Sequence, residues 1–390
     1  MRIGLIVGGK FHAFNLAEQL NNEGFLKIII TSYPKFYLKK HGIKKNLIKS
    51  LVSKEIFLKF FNKIKHMRNF FDYEYFLCNY FDDLASKLIN YDELDILVGW
   101  SGFSKKCFLN AAKYNCIKIL ERGSSHIKFQ EEILKNEYLK LGIKPTLPSK
   151  KMIKKELQEY ELADFISVPS DFVKQSFIKY GILESKIIKI PYGVDLKEFE
   201  TINNKKKKNK KFIIITTGTI SFRKGSHYLI ETFQELSLIN AELIFVGPID
   251  YEFKDWLKKK DNMENIKFIK KKKQSELKYF YNNSNLFVQC SIEEGLSMVQ
   301  AQAMACGIPV ICTENSGGAE IINDGQEGYV IPIRNKEILK KKILELYNDR
   351  KKLDLMGDKA HKKASKNLSW ELYGKKMIET YKCIIREKSK

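Results

Sequence analysis

Residues 291–307 read SIEEGLSMVQAQAMACG. Glu293 and Glu294 stand directly before Gly295, and small and apolar residues follow. The run 286–290 reads as a strand, 291–295 as the loop leaving its carboxyl end, and about 296–306 as a helix. In open α/β sheets, ligands bind outside the carboxyl ends of the strands. The unsatisfied N–H groups of a helix start bind anions there. The loop can therefore hold a phosphate on the amides near Leu296, Ser297 and Met298, while Glu294 accepts hydrogen bonds from hydroxyls that the phosphate carries. The plainer alternative is that both acids only complement the helix dipole. The stretch alone does not separate the two. Gln302, eight places after Glu294, is an amide where a third acid could have stood.

A second constellation is GTISFRKG at 218–225, leaving a strand at 212–216. A loop with Gly218 and Thr219, then Arg223, Lys224 and a helix, suits a diphosphate. The two cations can neutralise charge that grows on a departing phosphate, often the largest electrostatic contribution to a rate. An ordinary basic helix start is the competing reading. The GxxxxGK[ST] spacing of a Walker loop is missing. Gly8-Gly9 after the first strand, followed by Lys10, Phe11 and His12, lacks GxGxxG and by itself marks only a tight turn. Arg122 and His126 lie in ERGSSH, after a strand at 117–120, and are candidate substrate contacts; a lone histidine is more often structural. No Asp-x-Asp occurs, and no His/Asp cluster has metal spacing, so no metal is expected.

The elements that must position these residues follow from hydrophobic patterning. Short apolar runs lie at 3–7, 28–31, 96–99, 117–120, 165–168, 212–216, 243–246, 266–269, 286–289, 309–312 and 329–331, with segments of helical period between most of them. Near-continuous apolar strands separated by helices predict parallel sheets covered on both faces. Two open α/β domains fit better than one sheet of eleven strands. The boundary falls in 190–211, IPYGVDLKEFETINNKKKKNKK, whose lysine run reads as a solvated loop. A last helix is expected over about 368–387. Residues 33–71 mix lysines with aromatics; they read either as a basic amphipathic helix at a membrane interface or as a helix packed on its own domain.

The chain has 390 residues, 44% apolar and 12% aromatic, enough for more than one core. Its 69 basic and 46 acidic residues give +23, which suggests an anionic partner or a compositional bias towards lysine. Seven cysteines, an odd number without a CxxC pair, fit buried thiols in a reducing compartment. The N-terminal apolar run is too short for a signal peptide, and no segment has about 18 consecutive apolar residues. A cytoplasmic protein is expected, with 33–71 as its candidate contact to the inner face of the plasma membrane.

The stretch EEGLSMVQAQAMACGIPVICTENSGGAEII resembles the donor-binding signature of retaining glycosyltransferases of family 4, in which an E-G-(F/L) loop precedes a helix bearing E-A-M-A-x-G-x-P-V-I. GTISFRKG resembles that family's Arg/Lys-Gly diphosphate loop, and IPYGVD at 190–195 its interdomain P-x-G-V-D. The likeness is dense in the second half and loose in the first. It implies a GT-B fold of two Rossmann-like domains facing a cleft: 1–192, joined by a returning helix at about 370–390, for the acceptor, and 193–369 for a nucleoside-diphosphate sugar, most readily a UDP-sugar.

The resemblance also implies roles. Glu294 matches the first Glu of the family's E-x7-E and would contact the transferred sugar; Lys224 matches the diphosphate lysine. Thr219 stands where the family has an arginine, and Arg223 is expected to substitute. Gln302 stands where the second Glu meets the ribose hydroxyls, an amide without charge assistance. Catalytic candidates are thus Glu294, Lys224, Arg223 and His126. Gly218, Thr219, Gly295, Leu296, Ser297, Met298 and Gln302 would line the donor; Gly8, Gly9 and Arg122 would face the acceptor. The implied reaction retains the anomeric configuration by front-face attack, with no protein nucleophile, no metal and no cofactor beyond the co-substrate. The implied acceptor is a cell-envelope glycan or a lipid-linked one. A nucleotide-sugar epimerase of the same fold, and a basic nucleic-acid-binding protein, are the alternatives; no RNA-reading aromatic motif or zinc finger supports the latter.

Overall fold

A computed structural model describes residues 1–63, 72–201 and 211–388. Thirteen strands among them form two sheets. The first sheet holds β1 (Ile3–Val7), β2 (Leu26–Thr31), β3 (Ile48–Ser50), β4 (Ile96–Trp100), β5 (Ile117–Glu121), β6 (Phe165–Val168) and β7 (Ile187–Lys189), in the order β3-β2-β1-β4-β5-β6-β7. The second holds β8 (Phe212–Thr217), β9 (Ala241–Val246), β10 (Ile266–Ile269), β11 (Leu286–Gln289), β12 (Val310–Thr313) and β13 (Gly328–Ile331), in the order β10-β9-β8-β11-β12-β13. Every pairing is parallel. The central strands β1, β4 and β11 are buried along their whole length, because helices cover both faces.

All eleven apolar runs are strands. The two strands not anticipated, β3 and β7, are three residues long, carry Lys49 and Lys189, and close the edges of the first sheet. Short edge strands with lysines resist pairing with another chain, and the same features hide them from a hydrophobicity pattern. Residues 33–71 are not one helix. They form the short helix Phe36–Lys39, a turn at Lys45–Leu47, β3 and the helix Ser53–Lys63. The part 64–71 lies outside the described residues, as does the lysine run within 202–210.

The chain crosses to the second sheet through 190–195 and returns through 368–370. Val194 N donates to Leu368 O at 2.7 Å, tying the two crossings together. The helix Trp370–Lys388 then buries Tyr373, Met377, Ile378, Tyr381 and Ile384 and packs on the helix Ala13–Asn22 of the first domain. All seven cysteines are free and five are buried; burial pushes the Cys116, Cys290 and Cys312 thiols up to about 12. Among the described residues no helix is long and apolar enough to cross a membrane.

Candidate functional site

The loops leaving β8 and β11 meet at the carboxyl edge of the second sheet. Gly225 makes the approach feasible: its φ of +63° is costly for other residues, and a Cβ there would lie 1.8 Å from the Cys290 carbonyl oxygen. Ile292 N donates to Arg223 O at 2.9 Å, joining the loops through their backbones. This register sets Arg223-Lys224 opposite Glu293-Glu294. Each cation meets one acid: Arg223 Nε donates to Glu293 Oε2 at 2.8 Å, and the Lys224 ammonium pairs with the Glu294 carboxylate.

The two pairs differ in surroundings. Glu293 is 0% exposed and fully coordinated. Its Oε1 accepts from Ser125 N (3.0 Å) and Ser125 Oγ (2.7 Å), and its Oε2 from Gln130 Nε2 (2.9 Å) as well as Arg223. Burial alone would raise this carboxyl; the Arg223 charge and the Ser125 and Gln130 hydrogen bonds outweigh it and hold Glu293 below the usual carboxylate range. Lys224 and Glu294 are partly open, at 24% and 17% side-chain exposure. Burial, then the neighbouring Arg223, push the Lys224 ammonium down to about 7, with Glu293 acting in the opposite sense.

Beside the Lys224 pair lies a recess of about 230 Å³, lined by Gly218, Thr219, Lys224, Ser226, Gln289 and neighbours. The helix Met298–Ala305 begins at Ser297, whose Oγ accepts from Gln289 Nε2 at 3.0 Å. Gln302 is nearly buried; its amide oxygen accepts from Tyr281 Oη at 3.2 Å, and Tyr281 Oη lies 2.7 Å from Thr217 Oγ1. Gln300, which the sequence did not single out, donates to Gln289 and Ser316 and fixes this helix to its neighbours.

The first domain closes over these loops. A Cβ on Gly295 would lie 1.7 Å from the Gly123 carbonyl oxygen, so the backbones of the two domains touch there. Ser170 Oγ donates to Gly295 O at 2.7 Å. The helix Ile127–Lys140, which leaves the first sheet, lays Leu134 and Tyr138 into the second domain's core beside Phe222. Its Glu137, 0% exposed, meets His227 Nε2 at 3.1 Å and Arg334 Nε at 2.6 Å. Burial works against that charge, and the bonds from His227 and Arg334 prevail, holding Glu137 below its ordinary range.

Four expected contact residues stand elsewhere. His126 is 2% exposed, stacked 4.6 Å from Tyr180 and edge-on to Phe177. Its Nδ1 caps the helix by accepting from Lys128 N, and burial with Arg122 and Lys128 nearby pushes it down to about 4. It is a neutral helix cap packed inside the first domain. Arg122 is turned inward, with Nη1 on Glu156 (2.8 Å), Nη2 on Gln130 (3.2 Å) and Nε on the Ser125 carbonyl (3.2 Å). Gly8 packs under Phe103, where a Cβ would fall 2.1 Å from the ring, and its carbonyl accepts from Lys54 and Ser32; the Gly9 carbonyl accepts from Thr31. Below that turn His12 Nε2 meets the buried Glu121 Oε2 at 3.1 Å, a pairing that sequence spacing did not suggest. Among the described residues no group of three or more His, Cys, Asp or Glu side chains could hold a metal ion.

Residues 198–363 match the family model described as glycosyl transferases group 1. The spore coat protein SA of Bacillus subtilis is 25% identical over 249 residues, covering 56% of this chain and 65% of that protein. The capsular polysaccharide biosynthesis glycosyltransferase CapM of Staphylococcus aureus is 26% identical over 240 residues, covering 57% and 62%. The chain thus spans slightly less than two thirds of the length of these relatives. The crystal structure of Anabaena HepE in complex with UDP superposes with a TM-score of 0.70 at 14% identity, over 98% of this chain and all of that one. The sucrose-phosphate synthase of Thermosynechococcus elongatus gives 0.68 at 14% identity, over 99% and 100%. At these identities the likeness is one of fold, and the fold is GT-B: two parallel-sheet Rossmann-like domains.

Proposed function

We propose that this chain is a group 1 glycosyltransferase that moves a sugar from a nucleoside-diphosphate sugar, a UDP-sugar in the first instance, to a hydroxyl of an envelope glycan or lipid-linked acceptor. The observation that carries the reading is the meeting of Lys224 with Glu294 at the carboxyl edge of the second sheet. A cation, an acid and a helix start share one mouth, which is what a sugar diphosphate needs: charge for the phosphates, a carboxylate for the hydroxyls.

The Ser297 amide already donates to Ser316 O at 3.4 Å, so in this reading the Leu296 and Met298 amides with Lys224 hold the diphosphate as it becomes the leaving group, and Glu294 accepts from the sugar. The arriving phosphates compete with Glu294 for Lys224. Retention by front-face attack is the mechanism proposed; it requires no protein nucleophile, with a donor phosphate oxygen taking the acceptor's proton and catalysis resting on positioning and charge. His126 has no part in it. The match of 198–363 to the group 1 family model favours a transferase over an epimerase or a nucleic-acid binder.

The lipid-linked acceptor is favoured by the helix Ser53–Lys63, which exposes Ile56, Phe57 and Phe60 together with Lys59.

A thermal-shift screen with UDP-, GDP- and ADP-sugars tests the proposal. A ligand at about 100 times its Kd stabilises the native state by roughly 2.7 kcal/mol, a midpoint rise of several degrees. One nucleotide series should give that rise, Lys224→Ala should lose it, and turnover of that variant should fall on the order of 10²–10³-fold. No shift with any series, or a Lys224→Ala variant within twofold of the parent, removes the site.

A further inference from the structure

Glu293 lies in the donor loop, and its carboxylate is one of two points where the domains are joined through buried polar groups, the other being Glu137. Its four acceptor positions are filled by Ser125 N, Ser125 Oγ, Gln130 Nε2 and Arg223 Nε, at 2.7–3.0 Å. Three of these donors come from the first domain, from the loop after β5 and the helix Ile127–Lys140; one comes from the second. The chain of contacts continues on both sides. Gln130 Oε1 accepts from Arg122 Nη2, and Arg122 Nη1 pairs with Glu156. On the other side Arg223 Nη2 donates to Ser124 Oγ at 3.1 Å, returning to the first domain.

The residues next in sequence, Lys224 and Glu294, are the two on which the functional reading rests. A carboxylate without exposure tolerates no lost partner, because an unpaired buried charge costs several kcal/mol. Parting the domains removes three of the four donors at once. Glu293 must then be rehydrated, and Arg223 loses Ser124 and the fixed partner that orients its guanidinium. Closure and the placement of Arg223-Lys224 are therefore one event.

We propose that Glu293 is a positioning residue, which couples closure of the first domain onto the second to the orientation of Arg223 and, through the backbone, of Lys224 and Glu294. This rests on the functional reading above and deepens it. The nucleotide is held on the second domain and does not need the contact; group transfer, which requires the closed arrangement, does.

The test uses the full chain and UDP-glucose, or whichever nucleotide sugar gives the largest shift in the screen, reading nucleotide release to water and nucleotide affinity by calorimetry. In Glu293→Gln, turnover falls tenfold to a hundredfold while affinity for the nucleotide stays within threefold of the parent. Gln130→Ala, which leaves the Arg223 pair in place, lowers turnover in the same way, and the double variant is no slower than Glu293→Gln. Single variants within twofold of the parent overturn the proposal. So do losses that multiply in the double variant, or an affinity loss as large as the turnover loss, which marks a direct donor contact. Should Glu293→Gln fail to fold, parent-like turnover of Gln130→Ala overturns it. A parent inert with every nucleotide sugar removes the functional reading; an active parent with indifferent variants removes the positioning role alone.

Discussion

Side chains of one type have opposite fates in this molecule according to what surrounds them. Glu293 and Glu294 are neighbours in sequence, yet one is sealed between domains and the other is partly open and paired with Lys224. His126 shows the same divergence from expectation: placed by sequence at a strand's carboxyl end, it folds inward against Tyr180. Its low folded pKa makes a pH prediction with a definite sign. Above the unfolded value near 6.5 both states are neutral and the group is silent. Between about 6.5 and 4 the unfolded chain takes up the proton and the folded one does not, so stability falls as pH falls. From pH 7.5 to 5 the loss from this one imidazole amounts to roughly 2 kcal/mol. His126→Asn keeps a cap acceptor. It should lose less stability over that range than the parent, by about that amount, in urea denaturation at the two pH values. An equal loss in both proteins means the imidazole is protonated in the fold. The candidate chemistry was legible where residue type and strand-end position coincide, as at Lys224 and Glu294. It was not legible for Ser125 and Gln130, which reach Glu293 across 168 and 163 positions.

Among elements, the strands buried on both faces announced themselves, since nothing but apolar side chains fits there. β3 and β7 did not, being short and bordered by lysine. The stretch 33–71 offered a helical pattern and yielded four short elements, because β3 intervenes to complete the sheet edge. What survives of the basic amphipathic reading is the helix Ser53–Lys63, with Ile56 62% and Phe60 55% exposed. Such side chains can enter a headgroup layer while lysines meet anionic lipid. The parent should co-sediment with phosphatidylglycerol vesicles at low salt and release as ionic strength rises. Ile56→Glu with Phe60→Glu should abolish the binding while the thermal midpoint moves little. A parent that stays in the supernatant at low salt ends the membrane reading. The helix Ile127–Lys140 keeps Ile127 in its own domain's core but lays Leu134 and Tyr138 into the other domain's, a placement that only the fold shows.

At the scale of the whole molecule, two domains are held shut by buried polar ties at Glu293 and Glu137 and by direct backbone contact at Gly295. Under the proposed function, a nucleotide sugar would enter when the domains part and be transferred when they close. The net charge of +23 would favour an anionic partner of either kind, a nucleotide diphosphate or a lipid surface, or reflects a lysine-rich composition. Two sheets with a boundary inside 190–211 were readable from the alternation of apolar runs and helical stretches; the return of the last helix to the first domain was only implied by the family resemblance, and the degree of closure was not readable, since it depends on contacts between distant segments. The central claim is the place of the diphosphate, and a crystal structure of the chain grown with UDP measures it directly. The expected result is phosphate oxygens within hydrogen-bonding distance of Lys224 Nζ and the Leu296 and Met298 amides, with Glu294 displaced from the lysine. UDP bound elsewhere, or Lys224 still paired with Glu294 while the nucleotide is present, would contradict it.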